Sequence, residues 1–308
     1  GVDISYFFAD GDVPEWQQPF ARPQGDWHPP MGEWQIATPE QLGQFPAAAL
    51  IYRLGYLKQG KPAVHEERSL DDIWQRRSSL IAEEGGYDPN RDAGDLPARS
   101  PVRTGVDPLA FLVGPVEVKI GGDPAKSSVI DLSRYVDTAH QVVKSDTGEI
   151  RLNYGMGVCI INAPKAQGAT GFLSKAGEIA LSDIMIRSGN DYATISVVSM
   201  DGLPIRQSHK LLIQIGTIMR PTGWKDKDAT WQSSDGKQTF TGKEVVSTGT
   251  NPWQVVDSDA TLTIKNPLLR KATLLDANGM AQGVIPAQRK DGALVVKLPA
   301  DAMYVVLE

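Results

Sequence analysis

From about residue 108 to the C-terminus the chain is a succession of short apolar runs separated by turn dipeptides, and no other feature limits its fold as tightly. The runs fall at 115–120, 140–144, 149–153, 157–162, 184–187, 192–199, 210–218, 260–265, 272–276, 293–298 and 303–308. They are short for helices and rich in Val, Ile, Leu and Thr, as strands are. Between them stand Asp146-Thr147-Gly148, Ser188-Gly189-Asn190-Asp191, Asp201-Gly202, Asp235-Gly236, Asn278-Gly279 and Asp291-Gly292. Such dipeptides supply the positive φ that tight turns need. The pattern predicts a mainly β protein of antiparallel β-sandwich modules. Two modules suit this length, at 108–224 and 225–308, divided near Pro221-Thr222-Gly223-Trp224.

The upstream region has a different texture. Val2 to Phe8 reads as a strand, followed by an acidic and aromatic loop, Asp10-Gly11-Asp12-Val13-Pro14-Glu15-Trp16. The chain enters this strand directly from Gly1, which predicts a fragment of a longer protein. A stretch rich in Pro and Trp follows, with Trp27, His28 and Trp34. Thr38 and Pro39 then open a helix expected to reach Leu54, with a break or kink at Pro46. Ser69 is placed to cap a second, short helix through Arg76. Residues 71–107, rich in Gly, Pro and Asp, read as a linker draped over a domain surface.

Composition removes several classes of function. Of 308 residues, 41% are hydrophobic and 22% charged, the balance of a globular protein. The net charge of −6 comes without a basic block, so nucleic acid is not an expected partner. No apolar run approaches a membrane span of about 20 residues. The single cysteine, Cys159, precludes an intrachain disulfide and lies in the apolar run 157–161, where burial is expected. The chain lacks the G-x-S-x-G elbow, the G-x-G-x-x-G dinucleotide loop and the P-loop. No cofactor and no metal are expected. Asp88, Asn90 and Asp92 offer oxygens in one loop, but their spacing is not that of a calcium loop.

Several ordered motifs carry a family resemblance. Ser145-Asp146-Thr147-Gly148-Glu149-Ile150 leads into Gly157–Asn162 and then Ala163-Pro164-Lys165-Ala166-Gln167-Gly168. Further on come Ser196–Gly202, Leu212–Thr217, Arg220–Trp224 and the terminal Leu298–Val306. Together they resemble the β-region that follows the (β/α)8 barrel in large bacterial glycoside hydrolases of the β-galactosidase and cellulase superfamily. Gln44–Arg53 looks like the last barrel helix, and His65-Glu66-Glu67-Arg68 like the strand just after it. The resemblance implies that residues 1–70 form the end of a barrel-like α/β segment. It implies a carbohydrate-active protein, the C-terminal portion or a subunit of a glycoside hydrolase. Carbohydrate would be the partner, with another chain or a missing N-terminal barrel segment, in an extracellular or periplasmic setting. The catalytic glutamates of that superfamily sit on earlier barrel strands, upstream of Gly1, so catalysis by this chain alone is uncertain. A carbohydrate-binding module without catalysis and a structural association module are the alternatives.

If strand 2–8 is the eighth barrel strand, Asp10 and Asp12 lie just past its C-terminal end, where barrel enzymes build their sites. Asp10, Asp12, Glu15 and Trp16 then become substrate-binding candidates, with Asp10 and Asp12 also weighed as the carboxylates of hydrolysis. An Asx-turn around Gly11 explains the same residues without a ligand. Trp27, His28 and Trp34 form a second candidate group, as an aromatic platform or as loop packing. His65-Glu66-Glu67-Arg68 lacks the second histidine of a zinc-binding helix and reads as a salt-bridged strand. The strand pattern predicts that far-UV circular dichroism of residues 108–308 is dominated by β-structure; a dominant helical spectrum refutes it.

Overall fold

The computed structural model describes residues 43–75, 77, 79–81, 105–232, 236–237, 239–247 and 249–308. The strand expected at 2–8 lies outside them. In chain order the described elements begin with α1 (Phe45–Arg53), β1 (Val64–Arg68), α2 (Leu70–Trp74), α3 (Ala110–Val113), β2 (Val116–Ile120), β3 (Ser128–Val129), β4 (Val136–Asp137) and β5 (Val142–Lys144). Then come β6 (Ile150–Asn153), β7 (Val158–Ala163), β8 (Ala166–Gly171), α4 (Leu173–Ala176), β9 (Glu178–Ala180), β10 (Ile184–Ser188), β11 (Ala193–Ser199) and β12 (Leu211–Thr217). The last are β13 (Met219–Thr222), β14 (Lys225–Gln232), β15 (Thr239–Ser247), β16 (Thr250–Val255), β17 (Ala260–Ile264), β18 (Ala272–Leu275), β19 (Ala281–Ile285), β20 (Ala287–Lys290), β21 (Ala293–Lys297) and β22 (Tyr304–Leu307). The protein is mainly β, with several antiparallel sheets.

Two sheets carry the fold. A ten-stranded sheet has the order β19-β18-β22-β12-β11-β8-β7-β6-β5-β4, and a five-stranded sheet the order β20-β21-β17-β10-β9. Alternation decides which face of each strand meets the other sheet. Ile184 and Ile186, Leu262 and Ile264, and Leu294 and Val296 point inward from the smaller sheet. Ile195 and Val197, Leu211, Ile213 and Ile215, and Val305 and Leu307 meet them from the larger one. Each of these side chains is nearly or wholly buried, and each is worth about 1.5–3 kcal/mol in burial.

The larger sheet is also covered on its outer face. Ala166, Val198, Leu212, Tyr304 and Val306 pack there against α1, through Ala47, Leu50 and Ile51, and against Tyr56. Burial on two faces explains why β12 reads Leu211-Leu212-Ile213-Gln214-Ile215 with little alternation. The helix starts at Phe45, so Pro46 falls in its first turn and no kink arises. The interruption expected near Pro46 falls just before it, as a turn at Gly43 and Gln44, and the proline sits where the helix would have left its N–H unpaired. Ser69 caps α2 as expected, its hydroxyl accepting from Asp72 N–H while the Asp72 carboxylate accepts from Ser69 N–H.

The boundary expected at 224/225 does not separate one sandwich from another. β22 lies between β12 and β18, and β17 lies between β10 and β21, so both sheets mix strands from either side of that point. Periodicity locates strands but says nothing of their partners. Of the expected linker, 82–104 lies outside the described residues, while Ile81, Val106 and Ala110 pack with Val64 beneath a small sheet of β2, β1 and β3. The Asp291-Gly292 signal is a two-residue hairpin loop joining β20 to β21, with φ of 49° and 79°. The remaining strands, β13 with β16 and β14 with β15, form two ribbons outside both large sheets.

Because the two halves share one core, residues 108–224 and 225–308 expressed separately are each expected to fail to fold. Mixing them should restore the dispersed amide spectrum of the intact chain. A cooperative unfolding transition in either half alone contradicts the shared core.

Candidate functional site

All seven residues singled out in the sequence as substrate-binding candidates, Asp10, Asp12, Glu15, Trp16, Trp27, His28 and Trp34, lie outside the described residues. So do Asp88, Asn90 and Asp92. The described residues instead show what the motifs do.

The first group forms a seam between the sandwich and the segment before it. Gln214 is the polar residue on the α1 side of β12 and is fully buried. Its Oε1 accepts from Ala47 N–H at 3.0 Å, and its amide donates to Gln44 Oε1 at 2.8 Å. The helix N-terminus thereby gains a partner for one of its free N–H groups. Tyr56 donates its hydroxyl to Ser199 O at 2.9 Å, and the Lys165 ammonium sits 5.5 Å from its ring centroid. The S-D-T-G-E motif closes the seam. Asp146 Oδ2 accepts from Lys61 N–H and Glu149 Oε2 from Lys58 N–H, both at 2.7 Å.

The second group is a set of struts inside the sandwich. Gln167, 1% exposed, accepts from Asp183 N–H at 2.9 Å and Ile184 N–H at 3.2 Å, and donates to Asp183 Oδ2. Arg206 braces the other oxygen of Asp183 at 2.8 Å. Asn162 accepts from Ser182 N–H. The N-A-P-K-A-Q-G run thus fixes the crossover from the ten-stranded sheet to β10. Asp201 takes up four donors, from Ser199, Ser208, Leu203 and His209. Burial raises its pKa, but these hydrogen bonds outweigh burial and bring it down to about 2.

The third group is the charged strand β1. Its two faces differ. Glu66 accepts from Leu80 N–H at 3.0 Å with Arg68 3.7 Å away, and Arg68 also reaches Arg77 O, so the pair holds Arg77 and Leu80 on the sheet. One oxygen of Glu66 is buried with no hydrogen-bond partner. On the opposite face Glu67 accepts from Asp123 N–H at 2.8 Å and Lys119 at 3.1 Å, with His65 at 3.5 Å. The Asp123 N–H, then Lys119, pull its pKa down to about 2. The strand is salt-bridged, as its sequence suggests. Cys159 is half-buried, and burial pushes its thiol pKa up.

Two open features remain. A shallow depression of about 360 Å³ is lined by Glu178, Arg187, Ser188, Gly189, Asp259 and Thr261. Its Glu178 is already paired with Arg187. The second feature is the β14–β15 ribbon, where Trp231 and Phe240 stand opposite one another, largely exposed, with ring centroids 6.3 Å apart and planes within 27°. Sequence reading passed over this pair because Lys225-Asp226-Lys227-Asp228 gives the strand no apolar rhythm. Among the described residues no cluster of three or more His, Cys, Asp or Glu side chains could hold a metal, and no helix is long and apolar enough to cross a membrane. No protein-family description, no curated protein and no solved structure matches the chain.

Both depressed carboxylates tie stability to acid. The unfolded chain binds protons near the ordinary carboxylate range, about 4, and the folded chain only near 2, so stability holds above about pH 4 and falls as pH drops toward 2. Urea midpoints should therefore be flat from pH 7 to 5 and decline below 4. Asp201→Ala should lower stability by about 1–3 kcal/mol at pH 7, because buried Ser199 and Ser208 lose a partner. An unchanged midpoint in that variant removes Asp201 from the scheme.

Proposed function

We propose that this chain is the C-terminal portion of a carbohydrate-active protein of the glycoside hydrolase kind, whose sandwich serves as a rigid support rather than as the centre of hydrolysis. The observation that carries this reading is the seam. Asp146 and Glu149, which belong to a motif that resembles the post-barrel region of such enzymes, spend their carboxylates on backbone N–H groups of residues 58–61. Tyr56 and Gln214 add two more ties, and α1 lies flat on the outer face of the sheet. A sandwich bound this way would hold the segment before it in one orientation. Hydrolysis requires two carboxylates flanking the scissile bond, one free to protonate and one free to attack or activate water. The carboxylates of the seam and struts are committed to holding backbone and neighbouring side chains, and so are suited to support. Carbohydrate contact from the preceding segment would then fall to Asp10, Asp12, Trp16, Trp27 and Trp34.

The test uses the purified chain. Titration with soluble oligosaccharides should quench tryptophan fluorescence saturably, with affinity reduced by Trp16→Ala or Trp27→Ala. Aryl-glycosides should be turned over at background rates. Absence of binding to every glycan of a broad panel, soluble and insoluble, overturns the carbohydrate reading. Robust turnover abolished by Asp10→Ala or Asp12→Ala overturns the supporting role.

A further inference from the structure

Among the described residues, the ribbon of β14 and β15 is the region that packing against the two large sheets does not explain. Both strands are exposed almost throughout, and an isolated two-stranded ribbon gains little stability of its own in water. Register sorts its side chains onto two faces. One face carries Lys227 opposite Glu244, Ala229 opposite Gly242, and Trp231 opposite Phe240. The other carries Asp226, Asp228 and Lys243, joined at 2.7 Å between Lys243 and Asp228 and 3.7 Å between Lys243 and Asp226. The two aromatic rings therefore share one face, next to an ion pair of 3.0 Å between Lys227 and Glu244.

The indole of Trp231 does not hang free. It leans along the ribbon over Gly242, where a Cβ would come within 3.0 Å of the ring. The missing side chain at Gly242 is what lets the ring lie down. Trp231 and Phe240 are 50% and 42% exposed, so about half of each ring is open to a ligand.

We infer that this ribbon face is a binding platform for an extended, insoluble polysaccharide, an inference that rests on the carbohydrate reading above and adds a second site to it. Three features select this occupant. An aromatic face takes the apolar C–H face of a sugar ring, and Lys227 and Glu244, further along the same face, can meet hydroxyl groups. The face is open, with no walls to enclose a free sugar, so useful affinity needs a ligand that spans several contacts at once. The neighbouring charges argue against other occupants. Acidic and basic residues alternate along β14, which is not the basic stripe that draws an element to a lipid surface. A second copy paired edge to edge on β14 about a two-fold axis at Asp226 sets Lys225 against Lys227, and at Lys227 it sets Asp226 against Asp228. Like charges directly opposite disfavour such pairing.

The experiment is a pull-down of the full chain on microcrystalline cellulose, chitin, insoluble xylan and agarose beads, with the bound fraction read across a range of solid. Wild type should be retained on at least one of them. Trp231→Ala and Phe240→Ala should each weaken partition by about tenfold, and Trp231→Tyr should keep most of it. Melting temperatures should stay at the wild-type value, since neither ring touches the inter-sheet core. Retention that survives Trp231→Ala combined with Phe240→Ala overturns the platform while leaving the carbohydrate reading intact. Saturable binding of soluble oligosaccharides by a wild type that no solid retains does the same. Failure of wild type to bind any glycan, soluble or solid, overturns both.

Discussion

The placement of the last strand governs the architecture. Tyr304–Leu307 enters the ten-stranded sheet between β12 and β18, pairing with both in antiparallel register. A strand in that position has two faces to bury. Val305 and Leu307 go into the inter-sheet core, while Tyr304 and Val306 go under α1. Hydrophobic burial on both sides of one short strand couples the two layers, so the helix, the large sheet and the small sheet form one packed stack. The mixing of early and late strands in both sheets follows from the same closure.

Such a stack confines polar backbone and side chains where water does not reach, and the sequence places amides at those points. Gln167 bridges to Asp183 and Ile184, Gln214 receives the start of α1, and Asn266 donates to Ile205 O at 2.6 Å and Ser208 O at 2.8 Å. An amide both donates and accepts, so one residue can satisfy groups of both kinds. A buried amide left without partners costs more than a buried methyl group, which restricts the register in which these loops and strands can meet. Gln167 and Gln214 fall in the runs Ala163–Gly168 and Leu212–Thr217. Gln167 joins the two sheets of the sandwich, and Gln214 joins the sandwich to the segment before it.

The β14–β15 ribbon follows different rules. It leaves the sheet through β13 and β16 and contributes nothing to the shared core. Its strands are held by backbone pairing and by cross-strand pairs such as Lys227 with Glu244 and Asp228 with Lys243, which are exposed and individually weak. The alternating charges on β14 also guard a free sheet edge against pairing with its own copy. The aromatic pair on this element ties its two strands together and leaves about half of each ring open to contact from outside.

The sequence alone located about half of the strands in residues 108–308, and β8, β14, β15 and β16 were not among them. Runs such as 192–199 and 293–298, with Asp291-Gly292 between β20 and β21, specify strands and turns because side-chain period and positive φ are local properties. The cap at Ser69 is local in the same sense. Three further things were not legible. One was the start of α1 at Phe45, expected at Pro39. Another was the single sandwich in place of a pair. The third was the pairing of Trp231 with Phe240 across a ribbon of charged residues. Each depends on which distant residue lies alongside. Strand partners, the face of a helix laid on a sheet and the meeting of two rings are set by the sum of burial over the whole chain, and no local window contains that sum.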